Sequence, residues 1–187
     1  MESFNNRILI IDDNHAIHDD FHKILVVGTQ TAELDASEAE LFGAPARSAG
    51  YAVDSAYQGE EGYSKVLAAV EAGKPYAMAF VDMRMPPGWD GLQTIDQIWT
   101  ADPDIQIVIC TAYSDHAWED ILGHFGASDR LLILKKPFDP AEVGQFASTL
   151  TEKWRQAART KMKFMQMNAW VAEKGAQLDQ LMAKRQA

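Results

Sequence analysis

Five short apolar runs, each followed by a stretch whose apolar residues recur at helical spacing, constrain this chain more than any other feature. The runs are Arg7 to Ile11, Tyr51 to Ser55, Tyr76 to Val81, Ile105 to Cys110 and Leu131 to Leu134. Most are continuous rather than alternating, which is the pattern of strands covered on both faces. Helical spacing occupies residues 15–27, 60–72, 90–100 and 115–124. A fifth helix starts at Asp139, where Asp139-Pro140-Ala141-Glu142 supplies an N-cap, a proline at the first helical position and a capping-box acid. Strand then helix, repeated five times, predicts an α/β fold with a parallel sheet, right-handed crossovers and helices on both faces. At 187 residues, 47% of them hydrophobic, the chain holds one such core and a short appendage.

Two segments depart from this alternation. Residues 28–50, GTQTAELDASEAELFGAPARSAG, form a connection far longer than the usual link of about two to six residues. We read it as an insertion of unknown role, whose Ala/Glu-rich centre, about Ala32 to Phe42, is expected either to form an extra helical turn or two or to be partly disordered, with GAPARSAG as a flexible end. From Trp154 onward, Ala157, Lys161, Phe164, Asn168, Val171, Gly175, Leu178 and Met182 follow one another at spacings of three and four. That is a heptad seam with one apolar and one largely polar set of positions, so residues 151–187 are expected to continue the fifth helix as a coiled coil that pairs two copies of the chain.

Charge separates the same two regions. Residues 1–150 carry 9 Lys+Arg against 24 Asp+Glu, whereas residues 151–187 carry 8 against 3. An acidic body is unsuited to direct nucleic-acid binding, which needs clustered cations for the phosphates. No apolar run approaches the roughly eighteen residues of a membrane span, and MESFNNRILII has no basic segment ahead of its apolar one. A soluble, cytoplasmic protein is expected. The single cysteine, Cys110, lies in an apolar strand and reads as a small buried hydrophobe.

The strand ends carry the chemistry. In open α/β sheets, ligands bind beyond the carboxyl ends of the strands, where the strand order reverses. Here the first strand ends in Asp12-Asp13, the third in Asp82, the fourth in Thr111 and the fifth in Lys135-Lys136-Pro137. With strand order 2-1-3-4-5, Asp12, Asp13 and Asp82 share one rim with Thr111 and one lysine. Carboxylates so close need a cation or a proton, and hard oxygen donors select Mg²⁺. With such a metal, one carboxylate can attack phosphorus while a hydroxyl and an ammonium receive the transferred group. Adjacent strand residues face opposite ways, so only one of Lys135 and Lys136 can point into the site.

The combination IIDD, FVDMRMP, ICTAYS and KKPFD, in this order at these strand ends, resembles the receiver domain of bacterial two-component response regulators over residues 7 to about 150. The resemblance implies a flavodoxin-like, doubly wound five-stranded sheet followed by an extended C-terminal helix. It implies Asp82 as phosphoacceptor and Mg²⁺ ligand, Asp13 as a further Mg²⁺ ligand assisted by Asp12, and the backbone carbonyl of Arg84 as another. Thr111 becomes the switch hydroxyl and Lys136 the phosphoryl-binding lysine, with a cis Lys136–Pro137 peptide. The implied partner is a sensor histidine kinase or phosphotransfer protein. KPYA at Lys74 to Ala77 and RLLILKKPFD at Arg130 to Asp139 further resemble receivers fused to histidine kinase or diguanylate cyclase modules. Ile133 stands where the family often has an aromatic residue, and the turn from Pro86 to Gly91 is one residue longer than the common pattern.

Other readings compete with this one. A phosphate-independent receiver-like scaffold would be marked by loss of an acid, the hydroxyl or the lysine, and all are present. A Mg²⁺-dependent aspartyl-phosphate phosphatase of the haloacid dehalogenase type needs a second aspartate two residues after the first, where this chain has Arg84. Neither a GxGxxG nor a GxxxxGK[ST] loop is present, so a nucleotide enzyme has no support. We therefore expect a signalling switch without turnover of an external substrate. His15, His18 and His22 on the first helix suggest a metal site, but we read them as a solvated helix face.

Overall fold

The structure, a computed structural model, describes residues 5–26, 50–112 and 117–185. Strands β1 (Arg7–Ile11), β2 (Ala52–Ala56), β3 (Met78–Asp82), β4 (Gln106–Ala112) and β5 (Leu131–Lys136) form one sheet. All pairings are parallel and the order is β2-β1-β3-β4-β5. Helices α1 (His15–Leu25), α2 (Gly59–Glu71), α3 (Gly91–Ala101), α4 (Ala117–Phe125) and α5 (Pro140–Arg185) follow the strands in turn. The fold is the flavodoxin-like α/β architecture, with a long C-terminal helix. Residues 28–49 of the insertion, including the Ala32 to Phe42 stretch, lie outside the described residues.

Period-2 alternation along continuous apolar strands builds two cores, one on each face of the sheet. Leu9, Ile11, Ala79, Val81, Ile107 and Ile109 meet Val66 of α2, Ile95 and Ile98 of α3 and Ile121 of α4. On the other face Ile8, Ile10, Phe80, Val108 and Cys110 meet Phe21 and Leu25 of α1 and Val143, Ala147 and Leu150 of α5. Cys110 is a buried free thiol among these side chains, and burial pushes it far above the ordinary range.

Helix starts are set by side chains that satisfy otherwise unpaired amides. Asn14 accepts from the Ala16 amide at 3.0 Å to begin α1, and Asp90 accepts from the Gln93 amide at 2.8 Å to begin α3. At α5, Asp139 accepts from the Ala141 amide at 2.7 Å while Glu142 accepts from the Asp139 amide at 3.4 Å, the reciprocal arrangement expected from the sequence.

Both outer strands carry charge. On β2, Asp54 accepts from Arg7 at 2.8 Å and from the Tyr76 hydroxyl at 2.7 Å, and the Arg7 guanidinium lies 4.2 Å from the Tyr76 ring centre. Burial raises the Asp54 carboxyl, but the Tyr76 and Arg7 hydrogen bonds outweigh it and hold Asp54 below the ordinary carboxylate range. On β5, the Lys135 side chain is exposed.

The chain divides into two units, Met1–Trp154 and Arg155–Ala187. Within the second, α5 exposes Phe164, Met167, Trp170 and Val171, each more than half accessible. Among the described residues, no helix is long and apolar enough to cross a membrane.

Candidate functional site

The register of the sheet explains why the polar residues meet at its carboxyl end. Ile11 pairs with Val81 and Asp82 pairs with Cys110, so Asp12 and Thr111 each fall one step past a paired apolar residue, beside the end of β3. Thr111 in turn pairs with Lys135 and Ala112 with Lys136, which brings the fifth strand's lysine to the same edge. Asp12, Asp82 and Thr111 are buried, an unusual state for carboxylates that requires partners.

Lys136 is that partner. Its ammonium donates to Asp12 Oδ2 and to Asp82 Oδ1, both at 2.6 Å, while the Lys135 side chain is exposed. The remaining carboxylate oxygens are held by backbone: the Asn14 amide donates to Asp12 Oδ1 at 2.9 Å and the Arg84 amide to Asp82 Oδ2 at 3.0 Å. Asp13, next to Asp12 on the chain, is exposed. The Lys136–Pro137 peptide is cis, and so is Pro86–Pro87.

The electrostatics follow from burial and from the charge count. Burial, helped by the neighbouring Asp12 carboxylate, pushes Asp82 above the ordinary carboxylate range against the pull of Lys136 and the Arg84 amide. Burial alone would draw the Lys136 ammonium down. Its two carboxylate partners outweigh that effect and hold it above the ordinary lysine value, so it stays charged. Two carboxylates against one ammonium leave an excess negative charge, with Asp13 close along the chain.

This donor set suits a second cation. Hard carboxylate oxygens, few in number, match the preference of Mg²⁺ for one or two carboxylates with several positions left for water or phosphate. Among the described residues, no three His, Cys, Asp or Glu side chains converge as a metal cage on their own.

The loop behind Asp82 is held by backbone contacts. The Met83 amide donates to the Cys110 carbonyl at 2.9 Å and the Gly91 amide to the Met83 carbonyl at 3.0 Å. Gly91 lies so near β3 that a Cβ there would sit 2.7 Å from the Asp82 carbonyl oxygen. Only a residue without a side chain permits that approach, which is why the run after Asp82 closes on glycine.

The first helix requires a correction. His18 is 3% exposed, in contrast to the solvated face expected for the three histidines. At 100° per residue it lies only about 60° from Phe21, and with Phe21 and Leu25 it forms the buried stripe of α1. That spacing of three and seven residues is visible in the sequence. His15 is exposed and His22 half-buried. Sequence reasoning thus missed His18, and also Asn14, whose short polar side chain ahead of an apolar run is a recognisable helix-start signal.

Comparison with known proteins agrees with this geometry. The family model of the response regulator receiver domain matches residues 35–147, a span that includes Asp82, Thr111 and Lys136 but begins after Asp12 and Asp13. The CheY-like receiver domain protein from Methanospirillum hungatei is similar over 81% of this chain and 98% of its own, at 20% identity and a TM-score of 0.57. The REC domain of AraT, a response regulator from Geobacillus stearothermophilus, is similar over 82% of this chain and 98% of its own, at 21% identity and a TM-score of 0.57. A structure described as adenylate cyclase from Rhodopirellula baltica aligns over 86% of this chain and 97% of its own, at 17% identity and a TM-score of 0.60. No curated protein matches the chain. At these identities the structural likeness establishes the fold, and the family match, which spans more than half of the sequence, establishes membership: this chain belongs to the response regulator receiver domain family.

Proposed function

We propose that the chain is a phosphorylation-driven switch in which Asp82 accepts a phosphoryl group from a sensor histidine kinase or phosphotransfer protein, or from a small phosphodonor. The observation that carries this reading is the Lys136 ammonium shared by Asp12 and Asp82 at 2.6 Å each, at the carboxyl ends of β1, β3 and β5. An Asp82 oxygen attacks phosphorus as the bond from phosphorus to the donor breaks, and the electron pair leaves with the donor nitrogen or oxygen. The product is an aspartyl phosphate. Asp12, Asp13, Asp82 and the Arg84 carbonyl would hold Mg²⁺, which supplies charge neutralisation at the phosphoryl oxygens. Lys136 then exchanges its bond to Asp82 for one to the phosphoryl group, and the Thr111 hydroxyl donates a hydrogen bond to it.

The direct test is intact mass after incubation with acetyl phosphate. A single phosphoryl adduct is expected that requires Mg²⁺ and is absent from Asp82→Asn. A folded native chain that gains no adduct would remove this reading in favour of a phosphate-independent scaffold.

We place the output on the C-terminal helix. Phe164 and Val171, apolar positions of the helix-pairing seam, are exposed, which suits pairing with a second copy of the chain. Phosphorylation is expected to shift the monomer–dimer balance, with light-scattering mass before and after acetyl phosphate as the readout. An unchanged mass distribution removes the dimerisation part of this proposal and leaves the phosphoacceptor part standing.

A further inference from the structure

Resting on the reading of Asp82 as phosphoacceptor, we infer that His18 is a positioning residue for the Asp12–Asp13 turn, and through it for Mg²⁺ capture. The ring is buried between three elements and both nitrogens are engaged. Nε2 lies 2.8 Å from the Asp12 carbonyl oxygen, and Nδ1 lies 2.9 Å from Ser55 Oγ on β2. A carbonyl only accepts, so Nε2 carries the proton and donates; in the neutral ring Nδ1 then accepts from the Ser55 hydroxyl. The Tyr57 ring, 4.5 Å away between centres, covers the imidazole. His22 Nε2 approaches the same Ser55 oxygen at 3.4 Å, extending the chain of bonds along α1.

The consequence lies in which peptide is fixed. The Asp12 carbonyl belongs to the peptide unit joining Asp12 to Asp13, and a planar peptide with its oxygen held cannot rotate. The Asp12 amide, at the preceding peptide, donates to the Ala56 carbonyl at 3.1 Å. The Asn14 amide, in the peptide that follows Asp13, donates to Asp12 Oδ1 at 2.9 Å, so the peptides on both sides of Asp13 are held and the direction in which its Cα–Cβ bond leaves the backbone is set before any ion arrives. Asp13 is exposed and otherwise free to sample many directions, so His18 replaces a side-chain restraint with a backbone one. Metal sites depend on such outer partners, whose loss typically weakens binding by roughly ten- to a hundredfold.

Two variants separate this role from plain packing. His18→Leu fills the space but bonds neither Asp12 nor Ser55, whereas the amide nitrogen of His18→Gln can replace Nε2 as donor to the Asp12 carbonyl. Mg²⁺ titration followed by the amide NMR signals of residues 12–14 is expected to show His18→Leu weakened by roughly tenfold. His18→Gln is expected to stay within about twofold of the native chain, even if both variants melt earlier. Equal Mg²⁺ affinity for His18→Leu and the native chain overturns the inference, as does a His18→Gln variant as weak as His18→Leu. A native chain that shows no Mg²⁺ response overturns the underlying reading of the site as well, so the two failures are distinguishable. The unmodified chain gives a measurement that needs no variant: the nitrogen spectrum of His18 is expected to place the proton on Nε2 and to move as Mg²⁺ is added. A ring protonated only on Nδ1, or one indifferent to Mg²⁺, overturns the inference.

Discussion

Replacing Lys136 by methionine is expected to slow adduct formation with acetyl phosphate by roughly a hundred- to a thousandfold, the usual cost of removing one charged donor from a site where charge develops. The same change should alter stability in a way that depends on pH. Asp82 already titrates above its ordinary value, and Lys136 is the strongest influence opposing that rise. A carboxyl raised in the folded state favours folding below its unfolded value of about 3.9 and penalises it as pH climbs through the folded value. With the ammonium gone, the folded value rises further and the penalty extends toward neutrality. Chemical denaturation at pH 8 should show the variant about 3 kcal/mol less stable than the native chain, the scale expected when one member of a buried ion pair is removed. As pH falls, that difference should shrink, because Asp82 then binds a proton in place of the lysine. An undiminished adduct rate would exclude Lys136 from the chemistry, and a stability deficit that is flat with pH would exclude the electrostatic explanation.

Gly91→Ala is expected to be damaging well beyond the addition of a single methyl group. Its Cβ would meet the Asp82 carbonyl oxygen at 2.7 Å and Met83 Cα at 2.9 Å, and both neighbours are backbone atoms that cannot rotate away. Either β3 or the start of α3 must shift. Overpacking of this kind costs up to about 3 kcal/mol, which for a chain of this size lowers the thermal midpoint by roughly 6–12 °C. Because the displaced carbonyl belongs to Asp82 itself, adduct formation should slow as well. Gly144→Ala in α5 is the matched opposite: a methyl group added there meets no atom within 4 Å, and alanine is the better helix former. It should raise stability by about 0.5–1 kcal/mol. Calorimetry on both variants tests the pair, and a Gly91→Ala midpoint equal to that of the native chain would show that the loop after Asp82 yields without resistance.

The sheet is legible in the sequence because continuous apolar runs bounded by helical periodicity leave few alternative folds, and strand order follows once the strand ends must supply one site. The boundaries of β2, β3, β4 and β5 differ from the apolar runs by one to two residues, since hydrogen-bond ladders extend past the last apolar side chain; β5 in particular reaches Lys136 rather than stopping at Leu134. The convergence of Asp12, Asp82 and Lys136 is readable from their places at strand ends. The support behind them is not. His18 is polar and reads as a solvent-facing residue, yet a side chain with two hydrogen-bonding nitrogens can lie on the apolar side of a helix when a carbonyl and a hydroxyl wait there. The Ser55 hydroxyl becomes its neighbour only through pairing of β1 with β2 across the long insertion, while the Asp12 carbonyl is supplied by the turn that leads from β1 into α1. Tertiary partners of that kind leave no mark in local spacing.

The two charged outer strands bear on how this molecule meets its own kind. An open parallel sheet offers unpaired amides and carbonyls along both margins, and a stray strand from another chain can join there and seed insoluble growth. Here an incoming strand on the β2 side would meet Asp54, already committed to Arg7 and Tyr76, and on the β5 side it would meet Lys135. Each margin makes such joining costly, so even a concentrated population of this chain keeps its sheets apart.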